Sequence, residues 1–433
     1  MAVAELALFG GKPVREKPFP PYRSIGKEEK EAVARVMDTG NLSQFLGAWD
    51  PDFFGGPKIR EFERQWAGAF GAKHAVTVNS NTSGLFACIG AAMVGPGDEV
   101  IVSPYTMSAS ALAPVIYGAV PIFADIQDDI FCLDPKSIES NITPRTKAIL
   151  VVHIFGHPAD MDPIMAIANK HNLIVIEDCA QAPGAKYKGR LVGTLGHMGV
   201  FSLNYHKHIH TGEGGVIVTN DDRLAARLQL IRNHGETVIE EMKHHEVENM
   251  FGFNFRLTEL QAAIGIEQLK KLERLIAPRI ELAGYLAEKT KSFGVFQPAV
   301  TLPDCRHVFY VHAIKFDAKK AGISRNLFLE AVRAEGVPLA GGYVKPLYWQ
   351  PIYQKKLGQG RSGFPFVGLH YDGNPDYSHG SCPVAERMHL EELFYHDLMR
   401  PPLTTTDMDD IVRAFEKVLS QSKALASRQR SAK

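Results

Sequence analysis

The chain has 433 residues, of which 45% are hydrophobic and 22% are charged. These values are ordinary for a globular protein, and the length allows two or three domains around a large buried core, which excludes disorder as the main state. The 48 basic and 48 acidic residues cancel, so the composition favours neither nucleic acid nor an anionic membrane as the main partner.

The first residues and the cysteines indicate the compartment. The apolar run over residues 1–9 is too short to span a membrane and lacks the basic start of a signal peptide. The five cysteines show no close pairs of the kind that a disulfide framework or a zinc ribbon requires. We therefore expect a soluble, cytoplasmic protein with reduced cysteines.

Between residues 74 and 220, short apolar runs alternate with helical stretches such as Ser83–Met93 and Pro163–His171. Most of the runs are rich in Val and Ile and apolar on both faces, which is typical of strands covered by helices on both sides. The pattern predicts an α/β large domain with a seven-stranded, mostly parallel sheet. The seven runs are His74–Ser80, Glu99–Ser103, Val120–Ile126, Ala148–Phe155, Leu173–Glu177, Gly199–Leu203 and Gly215–Thr219.

The sequence pattern changes at Thr258, where Thr258–Gln261 resembles a helix capping box. We expect two connector helices, the first kinked or ended by Pro278. A strand near 307–316 and helices near 324–335 and 407–419 then predict a smaller C-terminal α+β domain, with a loop over 359–381. The predicted division is an N-terminal segment 1–30, a large domain 31–257, connector helices 258–294, a small domain 295–420 and a disordered tail 421–433.

Ligands of parallel α/β sheets bind beyond the carboxyl ends of the strands, so residues that follow the apolar runs are candidate site residues. The first run is followed by Asn79–Gly84, whose small hydroxyl residues begin a helix and can expose backbone N–H groups to an anion. The same residues are also common helix caps. No Gly-Lys-Ser/Thr follows, so this segment is not a P-loop.

Two further run ends carry a carboxylate and an amine. Asp178 follows the fifth run, and a buried acid needs a cationic partner, such as the protonated ring nitrogen of pyridoxal phosphate, unless it only caps a helix. Lys207 follows the sixth run, where a lysine can form a Schiff base or simply face solvent. The alternating His206, His208 and His210 lack further ligands at metal-site spacing, so we predict no metal site.

A helix N-terminus that can bind a phosphate, an acid that can pair with a ring nitrogen and a lysine thus follow three predicted strands in this order. The combination resembles the DegT/DnrJ/EryC1/StrS sugar aminotransferase family, a branch of the fold-type I pyridoxal phosphate enzymes, over residues 6–419. The resemblance implies a fold-type I large domain with a smaller C-terminal α+β domain. Its motifs are Gly95–Val100, Ile142–Lys147, Pro158–Asp162, Ile176–Gln181, Phe201–Gly215, Arg232–Gly235 and Gly252–Arg256.

The resemblance implies roles around the cofactor ring. Lys207 would hold pyridoxal phosphate through a Schiff base, Asp178 would pair with the ring nitrogen, and Gln181 would contact the ring 3-hydroxyl. The family usually places an aromatic residue where Met107 stands. A methionine can also cover a ring face, and Tyr105 is an alternative for this role.

The resemblance also assigns the phosphate ligands. Thr82, Ser83 and Ser202 would hold the phosphate, and Asn254 would reach the phosphate of the other subunit, so we expect a homodimer with shared active sites. Asn81 stands where the family usually has glycine. Asparagine tolerates left-handed backbone geometry better than most residues, so we expect this turn to keep its ability to bind the phosphate.

The implied reaction is transfer of an amino group from Gln or Glu to a keto-sugar or keto-cyclitol. Segments 6–13 and 408–411 are more similar to scyllo-inosose aminotransferases and aminohydroxybenzoate synthases than to nucleotide-sugar members. The alternatives are a pyridoxal phosphate-dependent dehydratase or aminohydroxybenzoate-type synthase, and a non-catalytic regulator. Lys207 disfavours the dehydratases, which have histidine there. The sequence does not identify the acceptor.

Overall fold

The chain folds as a three-layer α/β large domain joined to a smaller strand-rich domain. We describe it from a computed structural model that covers residues 5–243 and 245–431. The strands are β1 His74–Val78, β2 Glu99–Val102, β3 Val120–Phe123, β4 Thr146–Val152, β5 Ile174–Asp178, β6 Lys186–Tyr187, β7 Arg190–Leu191, β8 Met198–Ser202, β9 Gly215–Thr219, β10 Phe296–Pro298, β11 His312–Phe316, β12 Ala340–Gly341 and β13 Leu393–His396.

The helices alternate with the strands of the large domain and cover the small one. They are α1 Lys27–Thr39, α2 Pro57–Phe70, α3 Asn81–Ala91, α4 Ala109–Ile116, α5 Pro135–Ser140, α6 Met161–His171, α7 Asp222–Arg232, α8 Glu259–Thr290, α9 Ala318–Ala321, α10 Arg325–Ala334, α11 Pro351–Gln354, α12 Pro383–Arg387, α13 Thr405–Ser420 and α14 Ser422–Ser431. Within the described residues, no helix is both long and apolar enough to cross a membrane.

The large sheet has the strand order β1-β9-β8-β5-β4-β2-β3, and β9 alone runs against the others. This confirms the predicted seven-stranded, mostly parallel sheet. Strands β4, β5, β8 and β9 are buried along almost their whole length, as their Val- and Ile-rich sequences predict. Because β1, β5 and β8 run in the same direction, the residues that follow them meet at one edge of the sheet.

Helix α3 packs unusually close to this sheet. A Cβ atom added to Gly84 would lie 2.5 Å from the side chain of Val200 on β8, so only glycine permits this approach. The N-cap residue Ser80 accepts a hydrogen bond from the backbone N–H of Ser83 at 3.0 Å. The close packing therefore brings the beginning of α3 next to the end of β8.

Helix α8 connects the two domains. Its predicted capping box is confirmed, because Gln261 N donates to Thr258 Oγ1 at 3.2 Å and Thr258 N donates to Gln261 Oε1 at 3.1 Å. The predicted break at Pro278 is wrong, since one helix of 32 residues continues through it to Thr290. Its apolar face packs against α1 and α2 of the large domain and α13 of the small domain, and tertiary packing of this kind outweighs local propensity.

The small domain is built on an antiparallel sheet with the strand order β10-β11-β13-β12. The tail that we predict to be disordered instead contains α14, and Leu425 on this helix is buried in the small-domain core. Ala426 also packs against this core, so the segment has apolar contacts although its sequence is mostly polar and basic. Residues 432 and 433 of the predicted tail lie outside the described residues.

The segment 359–381, predicted as a loop, has no regular secondary structure apart from a bridge between Gln359 and Phe364. It packs on the large domain rather than the small one. The Tyr371 hydroxyl donates to Glu99 Oε1 at 2.8 Å, and the Tyr377 hydroxyl donates to the Pro121 carbonyl at 2.7 Å. The sequence-based division at 295–420 therefore joins segments that pack on different domains, and its boundaries stay a prediction.

Glu335 attaches the N-terminal segment to the small domain. Its buried carboxylate accepts hydrogen bonds from Ala7 N at 2.8 Å, Val14 N at 3.1 Å and Lys417 Nζ at 2.8 Å. Glu335→Ala would leave the two backbone N–H groups without this acceptor, at a cost of about 1–3 kcal/mol. We expect a lower Tm and faster proteolytic cleavage within residues 7–20, whereas Glu330→Ala, at an exposed position on the preceding helix α10, should change neither. Equal cleavage of both variants would contradict this anchoring role.

Candidate active site

A cavity of about 220 Å³ lies at the edge of the large sheet where β1, β5 and β8 end, and it reaches the small domain. Tyr310 and Tyr343 close it from the side of the small domain. The structure brings six of the predicted site residues together in its lining, namely Thr82, Met107, Asp178, Gln181, Ser202 and Lys207. Ser83 and Asn254 are not part of this lining.

Asp178 is the last residue of β5 and is almost completely buried. Its Oδ1 accepts from Ala180 N at 3.1 Å and Asn81 Nδ2 at 3.3 Å, and its Oδ2 accepts from the Ser110 hydroxyl at 3.0 Å. Burial raises the pKa of this carboxyl, while these hydrogen bonds and the charge of Lys207 oppose the rise. The carboxylate is therefore fixed in position by neutral donors and faces a cavity that can hold a cationic partner.

The preceding residue, Glu177, faces away from the cavity. It accepts backbone N–H groups from Gly193 at 2.7 Å, Leu195 at 2.7 Å and Gly196 at 2.6 Å, and it bonds His153 Nε2 at 2.8 Å. These bonds fasten the turn before β8 to the end of β5. They also occupy the carboxylate atoms that a metal ion would need.

The possible metal ligands do not form a convincing site. Among the described residues, the one group with suitable spacing is His153, Glu177 and Cys179. Its atoms already make hydrogen bonds to one another or to the backbone. His206, His208 and His210 do not converge in this part of the chain, because His208 Nε2 contacts the Val308 carbonyl at 2.9 Å while His206 lines the cavity.

Lys207 lies in the loop between β8 and β9 and points into the cavity. The loop is closed by Leu203 N donating to the Gly214 carbonyl at 2.8 Å and Thr211 N donating to the Leu203 carbonyl at 3.0 Å. The Lys207 Nζ atom lies 4.5 Å from the centre of the Tyr310 ring. Burial lowers the pKa of Lys207 to about 8, although the charge of Asp178 opposes this shift. Much of this amine is therefore neutral near pH 8, and a neutral amine is nucleophilic.

The predicted phosphate ligands divide into two groups. Thr82 at the beginning of α3 and Ser202 at the end of β8 line the cavity. The N-terminus of α3 opens onto the same space, and a helix N-terminus attracts anions. The Ser83 hydroxyl instead donates to Asn79 Oδ1 at 2.5 Å, so its side chain supports the turn. A phosphate contact of Ser83 stays a prediction that this geometry does not favour.

Gln181 and Met107 line the part of the cavity where a cofactor ring is expected. Gln181 Oε1 accepts from Phe155 N at 2.7 Å, and its Nε2 donates to the Tyr343 hydroxyl at 2.8 Å. These bonds direct the amide N–H group towards the cavity. The Met107 side chain is half exposed at the cavity wall, whereas Tyr105 is fully buried outside this lining.

Asn254 lies on the surface, outside the cavity of its own chain. Its Oδ1 accepts from Arg256 Nε at 2.8 Å, and its backbone carbonyl accepts from Asn79 Nδ2 at 3.4 Å. The second contact places Asn254 close to the residue that begins the turn before α3. A residue that serves another subunit is expected at such a position, and the dimer itself stays a prediction.

Sequence reasoning missed several residues of the site. Ser110 and Asn81 both bind Asp178, although Asn81 was noted only for its backbone. Tyr310 covers Lys207 from more than one hundred residues along the chain. Ser110 is the one hydroxyl residue in an otherwise apolar helix, which is a signal for a polar contact. The other contacts depend on how distant segments pack.

The fold and the site together define a transferase of the pyridoxal phosphate-dependent kind. The model of the DegT/DnrJ/EryC1/StrS aminotransferase family matches residues 24–367. The spore coat polysaccharide biosynthesis protein SpsC of Bacillus subtilis is 38% identical over 411 residues, which are 93% of this chain and 97% of that protein. The chain therefore belongs to this aminotransferase family, which confirms the resemblance seen in the sequence.

Two further comparisons agree with this membership. The L-glutamine:2-deoxy-scyllo-inosose aminotransferase of Streptomyces kanamyceticus is 34% identical over 98% of this chain and 99% of that protein. The X-ray structure of the aminotransferase from Psychrobacter cryohalolentis matches with a TM-score of 0.80 at 31% identity, over 94% of this chain and all of that one. The protein is a pyridoxal phosphate-dependent aminotransferase.

The residues of the cavity fit this cofactor. A buried amine, Lys207, shares the cavity with a buried carboxylate, Asp178, as an aldehyde and a ring nitrogen require. Two further residues of the lining, Asn81 and Asn204, each have a buried Oδ1 atom without a hydrogen-bond partner among the described residues. Buried polar atoms without partners are costly, and a polar ligand in the cavity would lower this cost. Thr82 and Ser202 would hold the phosphate, and Gln181 would hold the ring hydroxyl.

The charge of Asp178 should affect both turnover and the pKa of Lys207. Asp178→Asn keeps the shape but removes a charge-assisted hydrogen bond of about 1.5–3 kcal/mol, so we expect turnover to fall at least about tenfold. The Asp178 charge also raises the pKa of Lys207. Loading of the apoenzyme with pyridoxal phosphate should therefore rise with pH around a midpoint of about 8 in the natural protein, and the midpoint should move to lower pH in the variant.

Absorbance of the bound cofactor measures the loading rate across pH. Ser108→Ala, next to the helix that carries Ser110 but without a hydrogen bond to Asp178, serves as the control and should keep the natural midpoint. An Asp178→Asn variant with natural turnover would reduce Asp178 to a structural residue. A midpoint that moved upward would contradict the inferred electrostatic coupling.

Proposed function

We propose that the protein transfers the amino group of glutamine or glutamate to the keto carbon of a keto-sugar or keto-cyclitol. The observation that carries this proposal is the buried Lys207 amine in one cavity with the buried Asp178 carboxylate. The Streptomyces kanamyceticus relative, similar over nearly its whole length, is named for glutamine and 2-deoxy-scyllo-inosose. A keto-cyclitol acceptor is therefore the first candidate for this chain.

The side chains divide the chemical work. When bound, pyridoxal phosphate supplies an electron sink for the carbon that gains or loses a proton. Asp178 would pair through its carboxylate with the ring nitrogen and favour the positive charge there. Lys207 Nζ accepts and returns the proton at the substrate carbon, and burial favours the neutral amine that this role requires by lowering its pKa. Tyr310 and Tyr343 form the wall of the cavity on the side of the small domain.

The chain is also proposed to act as a homodimer in the cytoplasm. Asn254 lies on the surface beside Asn79 and outside its own cavity, which supports a role in a neighbouring active site. All five cysteines are free, and free cysteines suit a reducing compartment.

Lys207 should be the single lysine that binds the cofactor. Lys207→Ala should abolish turnover and the absorbance of the bound cofactor, because no other amine lines the described cavity. Lys170→Ala, an exposed lysine on α6, is the matched control and should behave as the natural protein. Borohydride reduction and peptide mapping should label Lys207, and a label on another lysine would overturn the assignment.

Substrates are then found by a screen of amino donors against keto-sugars and keto-cyclitols, which follows the cofactor absorbance and the aminated product. We expect glutamine or glutamate to convert the cofactor to its amino form and a keto-cyclitol to restore it. Conversion by no amino acid at all would contradict the proposed function.

A mixing experiment tests whether the active sites are shared. Lys207→Ala chains and Asn254→Ala chains should each be impaired alone. In a mixed dimer with shared sites, one site carries both defects and the other carries neither, so activity should partly return. If Asn254 serves its own chain, every site stays defective and mixing restores nothing. Light scattering confirms the dimer and subunit exchange, and a monomer would contradict the proposal.

A further inference from the structure

The loop that carries Lys207 is attached to the N-terminal segment. The Tyr22 hydroxyl donates to the carbonyl oxygen of His208, the residue directly after Lys207, at 2.5 Å. Within the loop, Lys207 N donates to the Asn204 carbonyl at 3.0 Å. Tyr22 is not part of the described cavity lining. A residue from outside the cavity therefore holds the backbone beside the reactive amine.

The N-terminal segment contacts the loop a second time through helix α8. Gln268 Oε1 on this helix accepts from the Ser24 hydroxyl at 2.8 Å and from His210 N at 3.3 Å. Gln268 Nε2 donates to the Ser24 carbonyl at 3.1 Å and to Glu29 Oε1 at 2.8 Å. Gln268, Ser24 and Glu29 are buried, and buried polar groups are costly to separate from their partners. The loop thus has two attachments to the N-terminal segment.

Arg279 connects Tyr22 to the residue that covers the amine. Its guanidinium carbon lies 5.1 Å from the centre of the Tyr22 ring, and that of Arg400 lies 5.7 Å from the same centre. Arg279 Nη1 donates to the Tyr310 carbonyl at 3.5 Å. The Tyr310 ring centre in turn lies 4.5 Å from Lys207 Nζ. Tyr22 therefore lies between the two segments that surround this amine.

The surroundings of Tyr22 keep its phenol protonated. Burial raises the pKa of Tyr22, although the charge of Arg279 opposes this shift. The phenol can therefore donate its proton to the His208 carbonyl at neutral pH. The Tyr22 ring also packs against the apolar core that includes Ile209 and Val308, and a phenylalanine would keep these contacts.

We infer that Tyr22 is a positioning residue for Lys207, which holds the loop so that the amine stays inside the cavity next to Tyr310. Tyr22 acts through the backbone of His208, since it does not line the cavity itself. Without this contact the loop can move outward, and the amine gains contact with water. The inference rests on the role proposed for Lys207.

Tyr22→Phe tests the inference because it removes only the hydroxyl. Burial is what lowers the pKa of Lys207, so a looser loop should raise this pKa towards the ordinary lysine value of about 10.4. The pH midpoint for loading of pyridoxal phosphate, about 8 in the natural protein, should therefore move upward. Turnover of the holoenzyme should fall about two- to tenfold, as expected for the loss of one neutral hydrogen bond. The substitution leaves in place the other ionisable groups of the described lining, which are Asp178, His206, Glu213, Tyr310 and Tyr343.

Tyr285→Phe is the matched control. The Tyr285 hydroxyl also makes one hydrogen bond, to Asp409 Oδ1 at 2.7 Å, and no described contact links it to the Lys207 loop. This variant should keep the natural midpoint and turnover. Hydrogen exchange of the holoenzymes gives a readout independent of turnover, in which the amides of residues 203–214 should exchange faster in Tyr22→Phe alone.

Specific results would overturn the inference. An unchanged or lower midpoint in Tyr22→Phe, or an equal effect of both substitutions, would reduce Tyr22 to a residue that only supports the fold. Should Tyr22→Phe not fold, hydrogen exchange of the natural holoenzyme across denaturant concentrations is a second test. Residues 22–29 and 203–214 should then open in one event, and separate opening would contradict the inference. If borohydride does not label Lys207 in the natural protein, the proposed function itself is wrong, which is a distinct result.

Discussion

The buried carboxylate of Glu177 is the contact on which the geometry of the catalytic edge depends. It joins the end of β5 to the turn before β8 through three backbone N–H groups and to the end of β4 through His153. Neighbouring residues of a strand face opposite sides, so fixing Glu177 also fixes Asp178 towards the cavity. The turn that Glu177 fastens leads through β8 to Lys207, and both reactive groups are thereby placed by one structural acid.

Asp178 and Lys207 are buried in the same cavity without a direct ion pair among the described contacts. Each is therefore held in a less stable charge state than it would have in water, which the directions of their pKa shifts reflect. A ligand with an aldehyde and a basic ring nitrogen relieves both at once. The energetic cost of burying Asp178 and Lys207 therefore favours binding of the cofactor.

Much of the fold was predictable because burial on both faces leaves a clear mark in the sequence, as in the Val- and Ile-rich strands β4 and β9. The site residues at strand ends, such as Asp178 and Lys207, follow from the same logic. The continuation of α8 through Pro278 was not predictable, since it depends on packing against both domains. The bond from Asn81 to Asp178 was also missed, because it joins residues 97 positions apart.

The continuous helix α8 has a mechanical consequence. With 32 residues it spans about 48 Å. It packs against α1 and α2 of the large domain and against α13 of the small domain. The segment 359–381 lies in the chain between β12 and β13 of the small sheet. Tyr371 and Tyr377 attach it to the large domain, which makes a second connection between the domains. Two attachments between the domains oppose hinge motion, so we expect the width of the cleft to change little during a reaction cycle. Different acceptor substrates can then be accommodated by substitution of residues at the entrance of the cavity, while the spacing of Asp178 and Lys207 stays the same.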